Sequence, residues 1–305
     1  MNRRRWLAAI AVLLVVAAIV AYVGVGYTVA DRFSRTERHP VDGPPDVPAA
    51  TSYEDVTLTT SDDARLSGWF FPAKSDRAVI LIHGRNANRL EWEGRNERIA
   101  SFLIAAGYSV LMFDLRGHGN SGGDPKIGDR FTLGFLERRD VDAGVTFLRG
   151  RGYADQHVAL LGISMGAASA LGELTLDPNV GPVIIDSSFT DVAVELEEKL
   201  PSEAGVPGWF APGVVIAFRL FFGIDPEAVR PIDIVRAHPE RPFLFIHCDA
   251  DELINVHHGR DLRTASANPA SDLWIASGCL HPRASDDHPD EYRTRVLAFL
   301  AAQMH

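Results

Sequence analysis

The chain has 305 residues, 46% of them hydrophobic, and a formal net charge of -10 at pH 7. This length and apolar content suffice for one large core, and α/β folds of this size commonly form a single domain. The acidic balance argues against a nucleic acid as a partner, because polyphosphate backbones attract basic surfaces.

The N-terminal segment is predicted to be a membrane anchor. The basic cluster Arg3-Arg4-Arg5 precedes an uncharged stretch from Trp6 to Ala30, about 25 residues and therefore long enough to cross a bilayer. We expect residues 1–30 to be a single-pass transmembrane anchor. The basic cluster favours a cytoplasmic tail, with the rest of the chain on the extracytoplasmic side of the membrane. A cleaved signal peptide is the main alternative, with Thr28-Val29-Ala30 as its cleavage site.

Residues 31–50 are predicted to be a proline-rich linker. Four prolines and one glycine lie between Pro40 and Pro48. This composition is typical of a stiff, extended spacer, which would hold the following domain away from the membrane.

Residues 51–305 are predicted to form one α/β domain. Short apolar strands alternate with helical patterns there, which indicates a mostly parallel sheet with helices on both faces. The first predicted elements are strands at Tyr53–Thr60, Arg65–Phe71, Ala78–Ile82 and Ser109–Phe113, and helices near Glu97–Ala106 and Glu137–Leu148.

A Gly-x-Ser-x-Gly pattern centred on Ser164 is the most informative motif of the chain. It follows the strand-like run His157–Leu161 and precedes the helix-forming run Ala167–Leu171. Strand, sharp turn and helix in this order are typical of a nucleophilic serine held at a strained turn. Glycines at both flanks fit such a turn, because a side chain there would collide with neighbouring backbone. A glycine-rich turn with an incidental serine is the alternative.

A serine hydroxyl is a weak nucleophile, so it needs a general base and a carboxylate that orients the base. After this kind of turn, the acid and then the histidine should follow along the chain. Asp249 and Asp251 come directly after the strand-length apolar run Pro242–His247, and His281 follows the next strand-like run. The required residue types are therefore present in the required order.

From about Tyr53 to the C-terminus, the chain resembles the α/β-hydrolase superfamily, and within it the bacterial esterase and acylpeptidase-like branch. Four blocks carry this resemblance: Ile82-His83-Gly84, Asp114 to Gly122, the motif at Ser164, and the late Asp and His. The resemblance implies an α/β-hydrolase fold and a serine hydrolase whose nucleophile is Ser164.

The resemblance also selects the partners of the serine. The acid of the family usually ends a His-Gly-x-x-Asp pattern, which corresponds to His247 through Asp251 and favours Asp251, although Cys248 stands in the glycine position. The histidine of the family usually ends a Gly-x-x-His loop, which selects His281. Backbone N–H groups of Met165 and Arg85 are the expected oxyanion hole, the latter in the loop after His83.

Other assignments stay open at this point. Asp249 or Asp186 could orient the base, and His288 could replace His281 as the base, although His288 reads as the start of the last helix. His257 and His258 are expected on the solvated face of a helix.

Residues from about 190 to 238 interrupt the alternation of strands and helices. A helix is predicted at Val192–Leu200 and an apolar segment at Val214–Phe222. Hydrolases of the superfamily insert a cap over the active site at this position, so the resemblance implies a small helical cap insertion. The alternative is an ordinary pair of core-packing helices. A cap could shape an acyl pocket or touch the membrane interface.

Cys248 and Cys279 are the only cysteines, and each follows a strand expected to neighbour the other. They could pair outside the cytoplasm, but two unlinked cysteines are the expectation, because disulfide geometry is demanding. No Cys/His cluster has zinc spacing and no acidic loop reads as a calcium site, so no metal or organic cofactor is expected.

Together these observations predict a membrane-anchored serine hydrolase that cleaves carboxylic esters through a Ser-Asp-His triad. The expected substrate is a small acyl compound, and this class includes lipid-like compounds. An acylaminoacyl or dipeptidyl-type peptidase, and a thioesterase or acyltransferase, are alternatives that use the same residues. A non-catalytic binding module is disfavoured, because all three triad residue types occur in order.

Overall fold

An eight-stranded sheet forms the centre of the structure, a computed structural model that describes residues 3–228 and 230–304. In chain order the strands are β1 (Glu54–Thr59), β2 (Arg65–Phe71), β3 (Ala78–Ile82), β4 (Ser109–Phe113), β5 (Val158–Ile163), β6 (Val183–Asp186), β7 (Phe243–Cys248) and β8 (Asp272–Ala276). Their order in the sheet is β1-β2-β4-β3-β5-β6-β7-β8. β2 runs antiparallel to β1 and to β4, whereas β4, β3 and β5 through β8 are parallel. The predicted α/β-hydrolase fold with a mostly parallel sheet is thereby confirmed.

Helices pack on both faces of this sheet, whereas most of the N-terminal helix lies outside it. They are α1 (Arg3–Ser34), α2 (Arg95–Ala105), α3 (Glu137–Gly150), α4 (Met165–Glu173), α5 (Val192–Glu203), α6 (Ala211–Ala217), α7 (Pro231–Ala237), α8 (His257–Ala265), α9 (Ala284–Asp287) and α10 (Pro289–Gln303). The terminal helix therefore begins one residue after His288, close to its predicted start. The central strands β3, β4, β5 and β7 are buried along their whole length, as expected of parallel strands covered on two sides.

Alternate residues of the central strands enter two separate hydrophobic clusters. In β3, Ile80 and Ile82 pack in the cluster that contains α3 and α4, and Val79 and Leu81 pack in the cluster that contains α2 and α10. The sheet therefore separates two cores, and the loops at the carboxyl ends of its parallel strands meet along one edge. This edge carries the candidate site.

The N-terminal helix is long and apolar enough to cross a membrane, and its most apolar 18 residues are not buried. The first two residues of the predicted anchor lie outside the described residues. The helix continues past the predicted boundary at Ala30 to Ser34. Its last turns are part of the domain, because Gly26, Ala30 and Ser34 are buried.

The proline-rich segment lies against the α/β domain instead of holding it away. Val41 and Val47 are buried in the cluster with α2 and α10. The backbone N–H of Val41 donates to Asn120 Oδ1 at 2.9 Å, and Arg38 pairs with Asp129 at 2.6 Å. Burial of the two valines and these polar contacts hold the segment on the domain. The prolines therefore do not act as a free, extended spacer.

The region expected to be a cap forms α5, α6 and α7. The apolar segment Val214–Phe222 is not one α-helix, because α6 ends at Ala217 and a π-helical turn, Phe218–Phe222, follows it directly. α5 is longer than predicted and reaches Glu203. α6 lies directly beside α1.

A buried guanidinium organises the loop that follows β4. Arg116 has no solvent exposure and pairs with Asp140 at 2.7 Å, Asp124 at 2.7 Å and Asp62 at 2.9 Å. Burial raises the pKa of Asp140 to about 7, although the guanidinium opposes that shift. The glycine-rich stretch from Arg116 to Gly123 is therefore held as a loop by a side chain beneath it.

We expect Arg116→Met to lower the free energy of unfolding by about 3–5 kcal/mol, because it leaves buried carboxyl groups without their cation. Arg293→Met is the control, because Arg293 and its partner Asp290 are exposed, and such pairs contribute about 1 kcal/mol or less. Urea unfolding of the detergent-solubilised chain, followed by tryptophan fluorescence, measures both. Equal effects of the two substitutions would contradict the structural role of Arg116.

Candidate active site

The loop between β5 and α4 presents Ser164 at the carboxyl edge of the sheet. Its backbone has φ 56° and ψ -120°, a conformation that costs a residue with a side chain about 1–3 kcal/mol. The Ser164 N–H donates to the Asp186 carbonyl at 2.8 Å, which ties the turn to β6. The predicted strand, sharp turn and helix are therefore observed.

The glycines of the motif permit close backbone packing. A Cβ atom on Gly166 would overlap the carbonyl oxygens of Ile82 and His83, and one on Gly162 would overlap the backbone of Gly166. Gly84 approaches the serine from the other side, since a Cβ there would lie 3.2 Å from Ser164 Cβ. Side chains at these positions would push the serine away from the neighbouring loops.

His281 lies between Ser164 and Asp251. Its Nε2 atom is 2.9 Å from Ser164 Oγ, and its Nδ1 atom is 2.6 Å from Asp251 Oδ2. The other carboxylate oxygen of Asp251 accepts the backbone N–H groups of Leu253 and Ile254 at 2.9 and 2.7 Å. The three side chains selected from the sequence are therefore within hydrogen-bonding distance of one another, although their catalytic roles stay a prediction.

The surroundings favour a neutral histidine beside an ionised carboxylate. Burial lowers the pKa of His281 below its ordinary value, although the hydrogen bond to Asp251 opposes that shift. Burial alone would raise the pKa of Asp251, but hydrogen bonds from His247 and His281 outweigh it and hold that pKa well below its usual range. A neutral imidazole beside a carboxylate can accept a proton from the serine hydroxyl.

The competing acids and bases are engaged elsewhere. Asp249 is exposed and accepts the backbone N–H of Gly278 at 2.6 Å. Asp186 is buried and accepts hydroxyl groups from Ser187 at 2.9 Å and Tyr292 at 3.0 Å. His288 Nε2 lies 2.8 Å from the backbone carbonyl of the residue at position 277.

The position of His258 differs from the prediction of a solvated histidine. His257 is partly exposed, but His258 is fully buried, because the start of α8 packs against the Thr190 loop. The Thr190 N–H donates to His258 Nδ1 at 3.2 Å, so the neutral ring carries its proton on Nε2. Although His257, His258 and Glu198 lie close enough to share an ion, that proton occupies the nitrogen of His258 that faces Glu198.

Glu91 supports the loop that follows β3, and no sequence motif marked it. Its Oε2 atom accepts the Gly84 N–H at 2.8 Å, and burial raises the pKa of Glu91 to about 7. His83 fixes the same loop from below, since its Nε2 atom accepts the Leu115 N–H at 2.9 Å. The Gly84 N–H is therefore unavailable to a substrate, and the next N–H, that of Arg85, is the remaining candidate donor.

The expected oxyanion donors border the same cavity as the serine. Arg85, Met165 and Ser164 line one cavity of about 410 Å³. Within the described part of the chain, neither the Met165 N–H nor the Arg85 N–H donates to another residue. This arrangement is compatible with an oxyanion hole.

A disulfide joins Cys248 to Cys279, so the expectation of two unlinked cysteines is wrong. β7 and β8 are parallel neighbours. Cys248 is the last residue of β7 and Cys279 follows the end of β8, so their Cα atoms are only 5.2 Å apart. The bond ties the loop that carries Asp251 to the loop that carries His281. It spans 31 positions, and closing a loop of that length contributes about 3–4 kcal/mol in a chain-entropy model.

The cavity beside Ser164 has an apolar side that includes a residue of the N-terminal helix. Phe33, in the last turn of α1, lines it together with Leu133 and Phe189. The Arg85 guanidinium lies 5.0 Å from the centre of the Phe33 ring. This role was not predicted from the sequence, because Phe33 falls in the predicted linker.

The chain belongs to the alpha/beta hydrolase family, whose model matches residues 79–301. It is 27% identical to the uncharacterized protein YfhR of Escherichia coli K12, over 85% of this chain and 84% of that protein. It is 34% identical to the uncharacterized protein Rv2307c of Mycobacterium tuberculosis, over 59% and 63%. Among solved structures, the esterase Pf2001 of Pyrococcus furiosus is similar with a TM-score of 0.71 and 27% identity, over 89% of this chain and 100% of that one. The predicted superfamily is confirmed.

Proposed function

We propose that this alpha/beta hydrolase cleaves carboxylic esters through an acyl-enzyme on Ser164. The carrying observation is the continuous hydrogen-bonded path from Ser164 Oγ through His281 to Asp251, with distances of 2.9 and 2.6 Å. The similarity to the Pyrococcus furiosus esterase supports the same class of reaction.

In the proposed reaction, Ser164 attacks the ester carbonyl while His281 Nε2 takes the hydroxyl proton. The N–H groups of Met165 and Arg85 stabilise the oxyanion, and His281 returns the proton to the leaving alcohol. Water, activated by the same histidine, then cleaves the acyl-enzyme. Ester and water thus give a carboxylic acid and an alcohol, and Asp251 orients the imidazole in both steps.

The peptidase alternative needs a charged site for a substrate amino terminus. Four glutamates line the cavity, namely Glu91, Glu93, Glu195 and Glu203. Glu203 pairs with Arg85 at 3.6 Å, Glu91 accepts a backbone N–H, and Glu93 is exposed. Burial raises the pKa of Glu195 to about 8, which favours its neutral form at pH 7. The buried part of the cavity therefore favours an uncharged acyl group over an amino terminus, which supports an esterase.

We further propose that α1 anchors the enzyme in a membrane with the catalytic domain on the extracytoplasmic side. The cluster Arg3-Arg4-Arg5 before the apolar stretch and the Cys248–Cys279 disulfide both support this orientation, because disulfides persist in oxidising compartments. Burial of Gly26 and Ala30 against the domain supports a retained helix over a cleaved signal peptide.

Ser164→Ala should abolish both ester hydrolysis and labelling by a fluorophosphonate probe, because the hydroxyl is the proposed nucleophile. Hydrolysis of 4-methylumbelliferyl esters of increasing acyl length measures the first effect, and gel fluorescence measures the second. The thermal midpoint should stay nearly unchanged. A wild-type enzyme that is never labelled, or a mutant that still is, would refute the assignment.

His281→Ala and Asp251→Asn should each lower kcat/KM by roughly 10³-fold or more, because either change disables the activated serine. Asp249→Asn and His288→Gln are the matched controls and should retain most activity, since neither side chain contacts the triad. If Asp249→Asn lost more activity than Asp251→Asn, the carboxylate role would belong to Asp249.

The pH profile should follow the ionisation of His281. Only the neutral imidazole can accept the serine proton, and burial lowers its pKa below the ordinary value of 6.5. We therefore expect kcat/KM to fall as the pH drops through an apparent pKa below 6.5, and to be level at pH 7. Initial rates with a short water-soluble ester between pH 4.5 and 8 test this, and an acid limb centred above pH 7 would contradict it.

The full chain should stay with membranes after carbonate extraction, because removal of a full apolar helix from the bilayer is very unfavourable. Protease added to intact spheroplasts should digest the catalytic domain. Protection of that domain until the spheroplasts are lysed would place it on the cytoplasmic side.

A further inference from the structure

The cap region is attached to α1 by close backbone and aromatic contacts. Gly26 of α1 faces Gly213 of α6, and a Cβ atom on either would overlap the opposite helix. Tyr22 packs against Phe210, with ring centres 4.4 Å apart, and Tyr27 packs against Phe221, with ring centres 4.9 Å apart. The cap and this part of α1 therefore hold one fixed position relative to each other.

This attachment sets the depth of the cap in a bilayer. If the hydrocarbon begins near Trp6, a core about 30 Å thick ends about 20 helical residues later, near Val25. Val25 lies between Tyr22 and Tyr27, the two residues that the cap rings contact. In that placement the cap aromatics lie at the boundary between hydrocarbon and headgroups, where such side chains are favoured.

The cap exposes large apolar side chains at this level. Trp209, Leu220 and Phe221 are 65%, 67% and 53% exposed. All three lie in segments that pack beside α1 through Tyr22 or Tyr27. An apolar surface continuous with a membrane-spanning helix is compatible with insertion into the same bilayer.

A groove between α1 and α5 leads from this level to the active site. It has a volume of about 460 Å³ and is lined by Thr28 and Val29 of α1, by Leu196 and Leu200 of α5, and by Ala204 just after the end of α5. Charged side chains line the same groove, namely Arg32, Arg35, Glu37 and Lys199. Phe33, Arg85, Asn86 and Glu203 line both this groove and the cavity beside Ser164.

The wall between the groove and the active-site cavity is weakly held. Arg85 and Glu203 are 3.6 Å apart, and both side chains are partly exposed. An ion pair of this kind contributes about 1 kcal/mol or less, so side-chain rotation can open the wall. Phe33 lies about 12 Å along the helix from Val25, so the cavity is just above the headgroups.

We propose that the substrate is a carboxylic ester of a membrane amphiphile, and that its acyl chain reaches Ser164 from the bilayer through the groove between α1 and α5. The proposal rests on the proposed esterase activity and on the proposed membrane anchor. It adds that the cap lies in the membrane interface and that the bilayer supplies the substrate.

Blocking the groove tests the route. The full-length enzyme is reconstituted in vesicles of a diether phosphatidylcholine, which contains no carboxylic ester, with 4-methylumbelliferyl oleate in the bilayer. Ala204→Trp on the α5 side and Thr28→Trp on the α1 side should each lower kcat/KM for the oleate by about tenfold or more. Hydrolysis of water-soluble 4-methylumbelliferyl acetate should stay within about twofold of the wild type, because the triad is untouched.

Ser202→Trp is the matched control, since it adds the same side chain near the end of α5 without lining the groove. It should leave both substrates unaffected. Equal losses for oleate and acetate in both groove variants, or no loss in either, would overturn the proposed route. Absence of acetate hydrolysis in the wild type would instead refute the esterase proposal.

Depth measurement tests the position of the cap without any catalysis. Brominated diether phosphatidylcholine quenches tryptophan inside the bilayer, and the wild type should lose a component of its fluorescence that is absent in Trp209→Phe. Trp274→Phe is the control, because Trp274 is buried in the cluster with α10. Equal quenching of the wild type and Trp209→Phe would place the cap outside the membrane and overturn the proposal.

Discussion

The close approach of backbone around Ser164 is the constraint on which the rest of the structure depends. β3 and β5 are parallel neighbours, so their carboxyl ends deliver the loop after β3 and the serine turn to one place. Glycine at positions 162 and 166 lets these segments touch, because a Cβ atom there would overlap backbone atoms, and Gly84 lies close to Ser164. The strained φ of Ser164 is maintained by the fully buried α4 behind it and by its hydrogen bond to β6. The strained backbone of Ser164 is thus maintained by the sheet and the helix around it.

The loops of the site are also joined to one another beneath the cavity. Arg95 is buried and lies 3.6 Å from Glu91, which supports the Gly84 loop, and 2.6 Å from Asp286 in α9, a few residues after His281. The disulfide connects the loop of His281 with that of Asp251. A displacement of one of these loops would leave a buried charge unpaired, which is costly. The geometry at Ser164 is therefore held by the loops acting together.

The sequence was informative where local pattern determines structure. Strand-length apolar runs, the glycines around Ser164 and the chain order of acid and base follow from rules that act over a few residues. Contacts between distant segments could not be predicted in this way. Glu91 belongs to no motif, and His258 is buried by a loop that is far from it in sequence. Phe33 lines the cavity because the last turn of α1 packs against the domain. The cysteine pair shows the intermediate case, since neighbouring strands were predicted but the spacing of the two side chains was not.

The last turns of α1 distinguish this molecule from an enzyme on a tether. A flexible linker would let the site sample many heights above a membrane, whereas the close contact of Gly26 with Gly213 packs α1 directly against the domain. Because Phe33 forms part of the cavity wall, the helix proposed to cross the bilayer also shapes the space beside the serine. The shape of the cavity and the height of the site above a membrane then depend on the same packing interface. A substitution there would alter both properties together, although it lies outside the triad.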